Sequence, residues 1–107
     1  MPSVANSLFR ALADPTRRAI FERLTRDGEQ TVHALTERAG VSQPMVSKHL
    51  SALKRARLVR NRRHGRETHY RARPEALVPL VDWIGDYGVF WQSRFDRLGE
   101  LLERMDK

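Results

Sequence analysis

Apolar residues near the start of the chain recur at intervals of three and four, a spacing typical of amphipathic helices. A second helix is expected to begin at Pro15, because Asp14 is a favourable N-terminal cap and proline loses no hydrogen bond at the first helical position. Asp27 and Gly28 should end it. Its buried side is predicted to consist of Ala19, Ile20, Phe21 and Leu24. The short helix before it is predicted from the stripe Val4, Leu8, Phe9 and Leu12.

Two further helices are predicted on either side of Gly40. Thr31 is expected to cap the first of them, and Gly40 stands where helices commonly end in a left-handed residue. Ser42 is expected to cap the second, which tolerates Pro44 in its first turn and runs to about Arg57. The core stripe of this fourth helix is predicted to be Met45, Val46, Leu50 and Leu53.

A basic β-hairpin is predicted to follow the fourth helix. Residues 58–62 and 67–71 have the composition of two short strands, and Gly65 stands near the tip of the turn between them.

From Pro74 onward, apolar residues recur every three or four positions over about eight turns of helix. This pattern predicts a long C-terminal helix whose apolar face is too long for a small core. Gly85 and Gly88 mark either a kink or a close helix crossing, and the pattern does not choose between the two. The apolar positions are Leu77, Leu80, Ile84, Tyr87, Trp91, Phe95, Leu98, Leu102 and Met105.

Composition limits the classes of protein to which the chain can belong. Its 107 residues, 40% of them hydrophobic, allow one domain with a thin core that a second copy would stabilise. The absence of cysteine excludes a disulfide, a thiolate nucleophile and a cysteine metal site. No membrane-spanning run or secretory signal is present, so we expect a soluble, cytoplasmic protein. Without a phosphate loop or nucleophile elbow, neither an enzyme nor a cofactor is expected.

Positive charge is concentrated in the middle of the chain. The formal net charge is +7, and residues 42–73 carry ten basic side chains against one acidic side chain, Glu67. Apolar residues interleave with these cations at regular spacing, so the segment is predicted to be folded rather than a disordered basic tail. Eight of the ten are arginines, whose planar donors suit phosphate groups and guanine edges. The pattern favours a polyanionic partner over a merely solvated face.

Two short helices around Gly40, followed by a basic hairpin, predict a helix-turn-helix with a wing. Val41 is expected to fill the angle between the helices, while Val46 and Leu50 anchor the second helix. The opposite side of that helix would then face the major groove of double-stranded DNA. The predicted recognition residues are Ser42, Gln43, Pro44, Ser47, Lys48 and Ser51, and the predicted wing and backbone contacts are Arg60, Arg62, Arg63 and Arg66.

Four segments resemble the ArsR/SmtB family of bacterial winged-helix repressors: 12–18, 41–50, 58–59 and 65–66. The resemblance extends over essentially the whole chain. It implies a homodimer built on the first and last helices, a fourth helix that reads an operator, and autorepression. By position, the family's DNA contacts correspond to Gln43, Pro44, Ser47, Lys48 and Arg66.

The chain lacks the ligands by which members of this family sense metals. Family metal sensors carry a cysteine pair on the third helix, or Asp and His ligands on the last helices. Here His33 stands alone on the third helix, and no histidine follows Pro74. The chain therefore resembles the branch without metal-binding motifs, and no metal site is expected. His49 is interpreted as a partly buried packing residue, and His64 and His69 as hairpin positions.

Together these patterns predict a mainly α fold with a small β-hairpin. The order is two helices, an optional short strand, two helices, the hairpin and one long C-terminal helix. Residues 1–107 are predicted to form a single winged helix-turn-helix domain, with helices in 1–13 and 75–105 making the dimer interface. The predicted interface residues are Leu8, Leu12, Trp83, Tyr87, Trp91, Phe95, Leu98 and Leu102.

The sequence leaves two main alternatives to a constitutive DNA-binding homodimer, and a third, an RNA binder, lacks the exposed aromatic residues on a sheet that single-stranded recognition prefers. An apolar effector bound near the aromatic C-terminal helices would make the protein a switch. Alternatively, the basic helix and hairpin would dock an acidic protein partner instead of DNA.

Overall fold

The computed structural model describes residues 3–105, so the ends of the predicted domain, at 1–2 and 106–107, lie outside the described residues. The chain forms two compact units, one ending at Leu77 and the other beginning at Val78. The fold is mainly helical with a small antiparallel sheet, in agreement with the predicted class.

Four helices make up most of the N-terminal unit, and each begins at a capping side chain. They are α1 (Val4–Leu12), α2 (Pro15–Asp27), α3 (Val32–Ala39) and α4 (Gln43–Arg55). The caps are Ser3, Asp14, Thr31 and Ser42, and each side chain accepts the backbone N–H three residues further on. The last three caps were predicted from the sequence and are confirmed, because capping depends on neighbours in the chain.

Glycines end two of these helices. Gly28 follows α2 with φ +84°, and Gly40 follows α3 with φ +71° in the left-handed region. A Cβ at Gly40 would meet no atom within 4 Å, so only the backbone conformation favours glycine there. Gly40 therefore sets the tight turn between α3 and α4, as predicted.

Three strands form an antiparallel sheet in the order β1-β3-β2. They are β1 (Gln30–Thr31), β2 (Val59–His64) and β3 (Glu67–Ala72). The pairing of His64 with Glu67 leaves Gly65 and Arg66 as a two-residue hairpin loop. Gly65 has φ +64°, the positive φ that a tight hairpin turn needs at its first central position.

The core of the N-terminal unit lies between its helices and the sheet. Its fully buried side chains are aliphatic: Leu8, Leu24, Leu35, Val46, Leu50, Leu53 and Leu58. The prediction that Met45 also belongs to the core is wrong, because this side chain is 41% exposed. Met45 lies at the border of the buried face of α4, about 90° around the helix from its centre.

The C-terminal unit consists of two helices instead of one long helix. After a 3₁₀ turn at Pro74–Leu77, α5 (Val78–Gly85) and α6 (Gly88–Met105) are separated at Asp86 and Tyr87. The N–H of Tyr87 bonds the Ile84 carbonyl at 3.0 Å, three residues back, which tightens the chain before α6 starts. Gly85 and Gly88 flank the break, and a Cβ at either would touch nothing within the chain, so neither glycine is required by a contact inside the protomer.

Large apolar side chains of the C-terminal unit are solvent-exposed. On α6 most of them fall on one side of the helix, which also carries Arg94, whereas Val89 lies among the polar side chains of the other side. Exposed members include Trp83, Ile84, Tyr87, Phe90, Trp91, Phe95, Leu98, Leu101 and Leu102. None of the described helices combines the length and apolar character needed to cross a membrane.

Candidate nucleic-acid interface

Helix α4 is held by one face and exposed on the other. Val46, His49, Leu50 and Leu53 are buried, and they recur at three- and four-residue spacing. This anchor fixes which side chains project outward, because the helix cannot rotate without exposing those four. The exposed side includes every predicted recognition residue: Ser42, Gln43, Pro44, Ser47, Lys48 and Ser51.

The start of α4 is built to present these side chains rigidly. The Ser42 hydroxyl accepts the N–H of Met45 at 3.3 Å, and Pro44 occupies the first turn, where it displaces no helical hydrogen bond. The Ser42 hydroxyl is therefore engaged as a cap. Gln43, Ser47 and Lys48 have exposed polar ends that are able to reach a ligand.

The turn of the hairpin lies beside α4. Gln43 and Ser47 of α4 line one open groove of about 240 Å³ together with Arg66 and Thr68 of the hairpin. The structure thus brings together two predicted recognition residues and one predicted wing cation. Hydrogen-bonding groups for base edges and a guanidinium for phosphate meet in this groove, which the Glu67 carboxylate also lines.

The hairpin divides the other predicted wing cations between its two faces. Arg60 and Arg62 pair with Arg71 and His69 and lie on one face, whereas Arg63 is one residue out of phase and lies on the other. All are exposed. The wing therefore presents positive charge in two directions.

Arg62 forms a two-pronged ion pair with Glu29, the residue just before β1. Its Nε donates to Glu29 Oε1 at 2.9 Å and its Nη2 to Oε2 at 2.8 Å. This hydrogen bonding is the main cause that holds the pKa of Glu29 below its ordinary value, and the charge of Arg62 adds to it. Sequence analysis did not identify Glu29, since the two residues are 33 positions apart.

His69 lies beneath this pair on β3. Its Nδ1 is 3.9 Å from Glu29 Oε2, and its Nε2 is 3.8 Å from Glu67 Oε2. The His64 and His69 rings make an edge contact with centroids 6.0 Å apart. Among residues 3–105, no three His, Asp or Glu side chains are grouped so as to hold a metal ion.

His49 lies on the buried face of α4, as predicted. It is buried, and its Nδ1 accepts the Nε–H of Arg17 at 3.4 Å. The interpretation of His49 as a packing residue is confirmed.

The predicted dimer residues differ in the surface they leave for a partner. Leu8 is only 1% exposed, because it belongs to the core of its own protomer, and Leu12 is half-buried. The other six are exposed: Trp83, Tyr87, Trp91, Phe95, Leu98 and Leu102.

Known proteins similar to this chain are transcriptional regulators. A helix-turn-helix domain family matches residues 12–62. The transcriptional repressor SdpR of Bacillus subtilis is 33% identical over 79 residues, which cover 74% of this chain and 87% of the repressor. The arsenic resistance transcriptional regulator ArsR1 of Pseudomonas putida is 40% identical over 101 residues, which cover 91% of this chain and 79% of that regulator. The chain belongs to the ArsR/SmtB family. Members of this family are not enzymes, in agreement with the lack of catalytic motifs.

Solved structures of ArsR-type proteins share the fold. An ArsR-like transcriptional regulator from Rhodococcus sp. RHA1 is 33% identical, with 92% of each chain covered and a TM-score of 0.71. A winged helix-turn-helix DNA-binding domain from Mycobacterium bovis, described as homodimeric and as a possible ArsR-family regulator, is 31% identical. The matched region covers 78% of this chain and 80% of the Mycobacterium bovis domain, with a TM-score of 0.65. These structures support the winged helix-turn-helix of this ArsR/SmtB member.

Proposed function

We propose that this ArsR/SmtB member is a homodimeric repressor that reads an inverted-repeat operator in double-stranded DNA, including one near its own gene. The observation that carries the proposal is the exposed side of α4. Its polar readers stand on a helix locked by Val46, Leu50 and Leu53, beside a cationic wing turn. A rigid reading helix loses little entropy on docking, so the side chains can discriminate between base edges.

Each reader has a chemical role in this proposal. Gln43 pairs with an adenine edge, Lys48 with guanine or phosphate, and Pro44 contacts a thymine methyl. Ser47 and Ser51 bond bases or phosphates. Ser42 acts mainly by capping the helix.

The wing supplies phosphate contacts. Arg66 is the wing cation nearest to the readers, since it lines the same groove as Gln43 and Ser47. Arg63 extends the cationic surface along the hairpin. Arg60 and Arg62 lie on the other face, and the ion pair with Glu29 leaves Arg62 a smaller part in DNA binding.

A second copy is required by both the surface and the proposed operator. The similar domain from Mycobacterium bovis is homodimeric. Here the exposed apolar side chains of α5 and α6 provide an extensive surface that association would remove from water. A two-fold dimer places its two reading helices about 34 Å apart, in successive major grooves, and so calls for an inverted repeat.

The decisive experiment compares a helix variant with a wing variant. A binding site is first selected from a random duplex library with the wild-type protein. Gln43→Ala and Lys48→Ala should each reduce discrimination between this site and random DNA by about 10- to 100-fold, the value of one good base contact. Arg66→Ala should weaken both complexes nearly equally, because a phosphate contact carries no sequence information. The reverse result would show that helix and wing have been assigned the wrong roles.

A further inference from the structure

The N-terminal unit has a second cationic surface, away from the wing. An open groove of about 230 Å³ lies between helices α1, α2 and α4. Arg10, Arg17 and Arg55 line it, and its other lining residues are three alanines and a serine. We call it the arginine groove. Small side chains leave room at its centre, and no carboxylate among the described residues lines it.

Arg17 is held in place at the base of this groove. Its Nη1 donates to the Ala11 carbonyl and its Nε to His49 Nδ1, both at 3.4 Å. These two bonds engage only part of the guanidinium, which has five N–H donors. The remaining donors of Arg17 are therefore oriented before any ligand arrives.

Arg10 and Arg55 carry positive charge that the protein itself does not neutralise. Within residues 3–105, neither side chain forms an ion pair of 4.0 Å or less. Both side chains are exposed. Three guanidinium groups around one small space repel each other unless an anion lies between them. This arrangement fits a phosphate group, whose oxygens accept two parallel N–H bonds from arginine.

Arg55 continues the reading side of α4. Pro44, Lys48, Ser51 and Arg55 are spaced by four, three and four residues, so they form one stripe along the helix. From Gln43 to Arg55 the helix extends about 18 Å, whereas the major groove is about 12 Å wide. A reading helix of this length extends past the base edges, and its far end meets the phosphate backbone.

We propose that the arginine groove binds a backbone phosphate of the DNA duplex at the Arg55 end of α4. This inference rests on the proposed function and adds a contact that the wing does not make. The groove and the wing turn then hold the backbone near opposite ends of the reading helix. Arg10 and Arg55 supply exposed guanidinium groups, and Arg17 supplies one that is held by hydrogen bonds.

The groove lies on the side of α1 that faces away from the predicted dimer residues Leu8 and Leu12. At 100° per residue, Arg10 lies about 160° around α1 from both Leu8 and Leu12. A partner that packs against the Leu12 side of the helix therefore leaves the Arg10 side accessible.

The salt dependence of duplex binding tests the proposal. Each phosphate contact contributes about 0.9 to the slope of log affinity against log salt concentration. Arg10→Ala and Arg55→Ala should each lower the slope by roughly this amount and weaken binding to operator and random duplex alike. Arg26→Ala is the matched control, because Arg26 is exposed on the opposite side of α2 from Arg17. It should leave the slope near the wild-type value.

Three outcomes distinguish the claims. If the groove variants behave like Arg26→Ala while Arg66→Ala lowers the slope, the groove inference is wrong and the proposed function stands. If inorganic phosphate at constant ionic strength stabilises the wild type but not Arg10→Ala, and duplex slopes are unchanged, the groove is a free-anion site and the inference is also overturned. Failure of the wild type to bind duplex DNA would refute the proposed function itself.

Discussion

Arg57 adopts a backbone conformation that glycine usually occupies at the end of a helix. Its φ is +63°, and among the described residues it is the non-glycine with positive φ. The N–H of Leu58 bonds the Leu53 carbonyl at 2.9 Å, and the N–H of Arg57 bonds the Lys54 carbonyl at 3.0 Å. This pair of bonds is the Schellman motif, in which a left-handed residue closes the helix. Helix α4 therefore ends at Arg55, two residues before the approximate end predicted at Arg57.

Replacing Arg57 by glycine should stabilise the protein. Glycine avoids the clash that a side chain meets in the left-handed region, which costs about 1–2 kcal/mol, although it also makes the unfolded chain more flexible. We expect Arg57→Gly to raise the free energy of unfolding by about 0.5–1 kcal/mol, measured by urea denaturation. Lys54→Gly, inside the regular part of α4, should instead lower it by about 1 kcal/mol. A less stable Arg57→Gly variant would contradict the argument.

At the scale of elements, the sequence was most informative where structure depends on neighbours in the chain. Asp14, Thr31 and Ser42 cap α2, α3 and α4 as predicted, because a cap and the N–H it accepts are three residues apart. The exposed position of the predicted recognition side chains followed from the buried stripe of α4. Both predictions used only spacing within one helix.

The features that sequence analysis missed depend on distant contacts or on a weak local preference. The pair of Glu29 and Arg62 requires the register of β3 against both β1 and β2, which spacing alone does not specify. The division into α5 and α6 was open because the apolar stripe continues through Asp86 and Tyr87, so periodicity does not register the break. Groove-lining Arg10 was missed because α1, α2 and α4 come together only in the folded chain.

The Glu29 and Arg62 pair ties the wing to the start of β1, and its strength should depend on pH. The pKa of Glu29 is lowered in the folded protein, so its stabilising effect is fully present above the ordinary carboxylate pKa of about 4.5. As the pH falls through the lowered pKa, Glu29 takes up a proton in the folded state too. The contribution of the pair to folding is then lost.

Glu29→Gln should therefore lower the free energy of unfolding near neutral pH. The difference from wild type should shrink below about pH 4 and vanish in stronger acid, as seen in urea titrations at a series of pH values. Glu22→Gln is a control with the same change of charge, since Glu22 contacts Arg18 only at 4.0 Å in an exposed pair. A pH-independent difference for Glu29→Gln would show that the ion pair is not its cause.

At the scale of the whole molecule, the least favourable feature of the single chain is the apolar side of α6, which is exposed to water. Trp91, Phe95, Leu98 and Leu102 form one stripe and are all exposed, and the Trp91 and Phe95 rings stack with centroids 6.4 Å apart. An apolar stripe of this length in water favours association over the isolated chain. If two copies pair through this stripe, the proposed dimer would bind the two half-sites of an operator together, with one α4 helix at each half-site.

Phe95→Glu should separate the dimer, because Phe95 is 64% exposed within the stripe and a carboxylate there would have to be buried without a partner. Sedimentation should show a dimer for the wild type and a monomer for the variant at the same concentration. Affinity for an inverted repeat should fall about 10²- to 10⁴-fold, since the second half-site is no longer bound by a tethered partner. Affinity for a single half-site should change little, because α4 and the wing belong to the other unit. Ser93→Glu adds the same charge on the polar side of α6 and should leave the dimer intact. A Phe95→Glu variant that remains dimeric would place the association surface elsewhere on the chain.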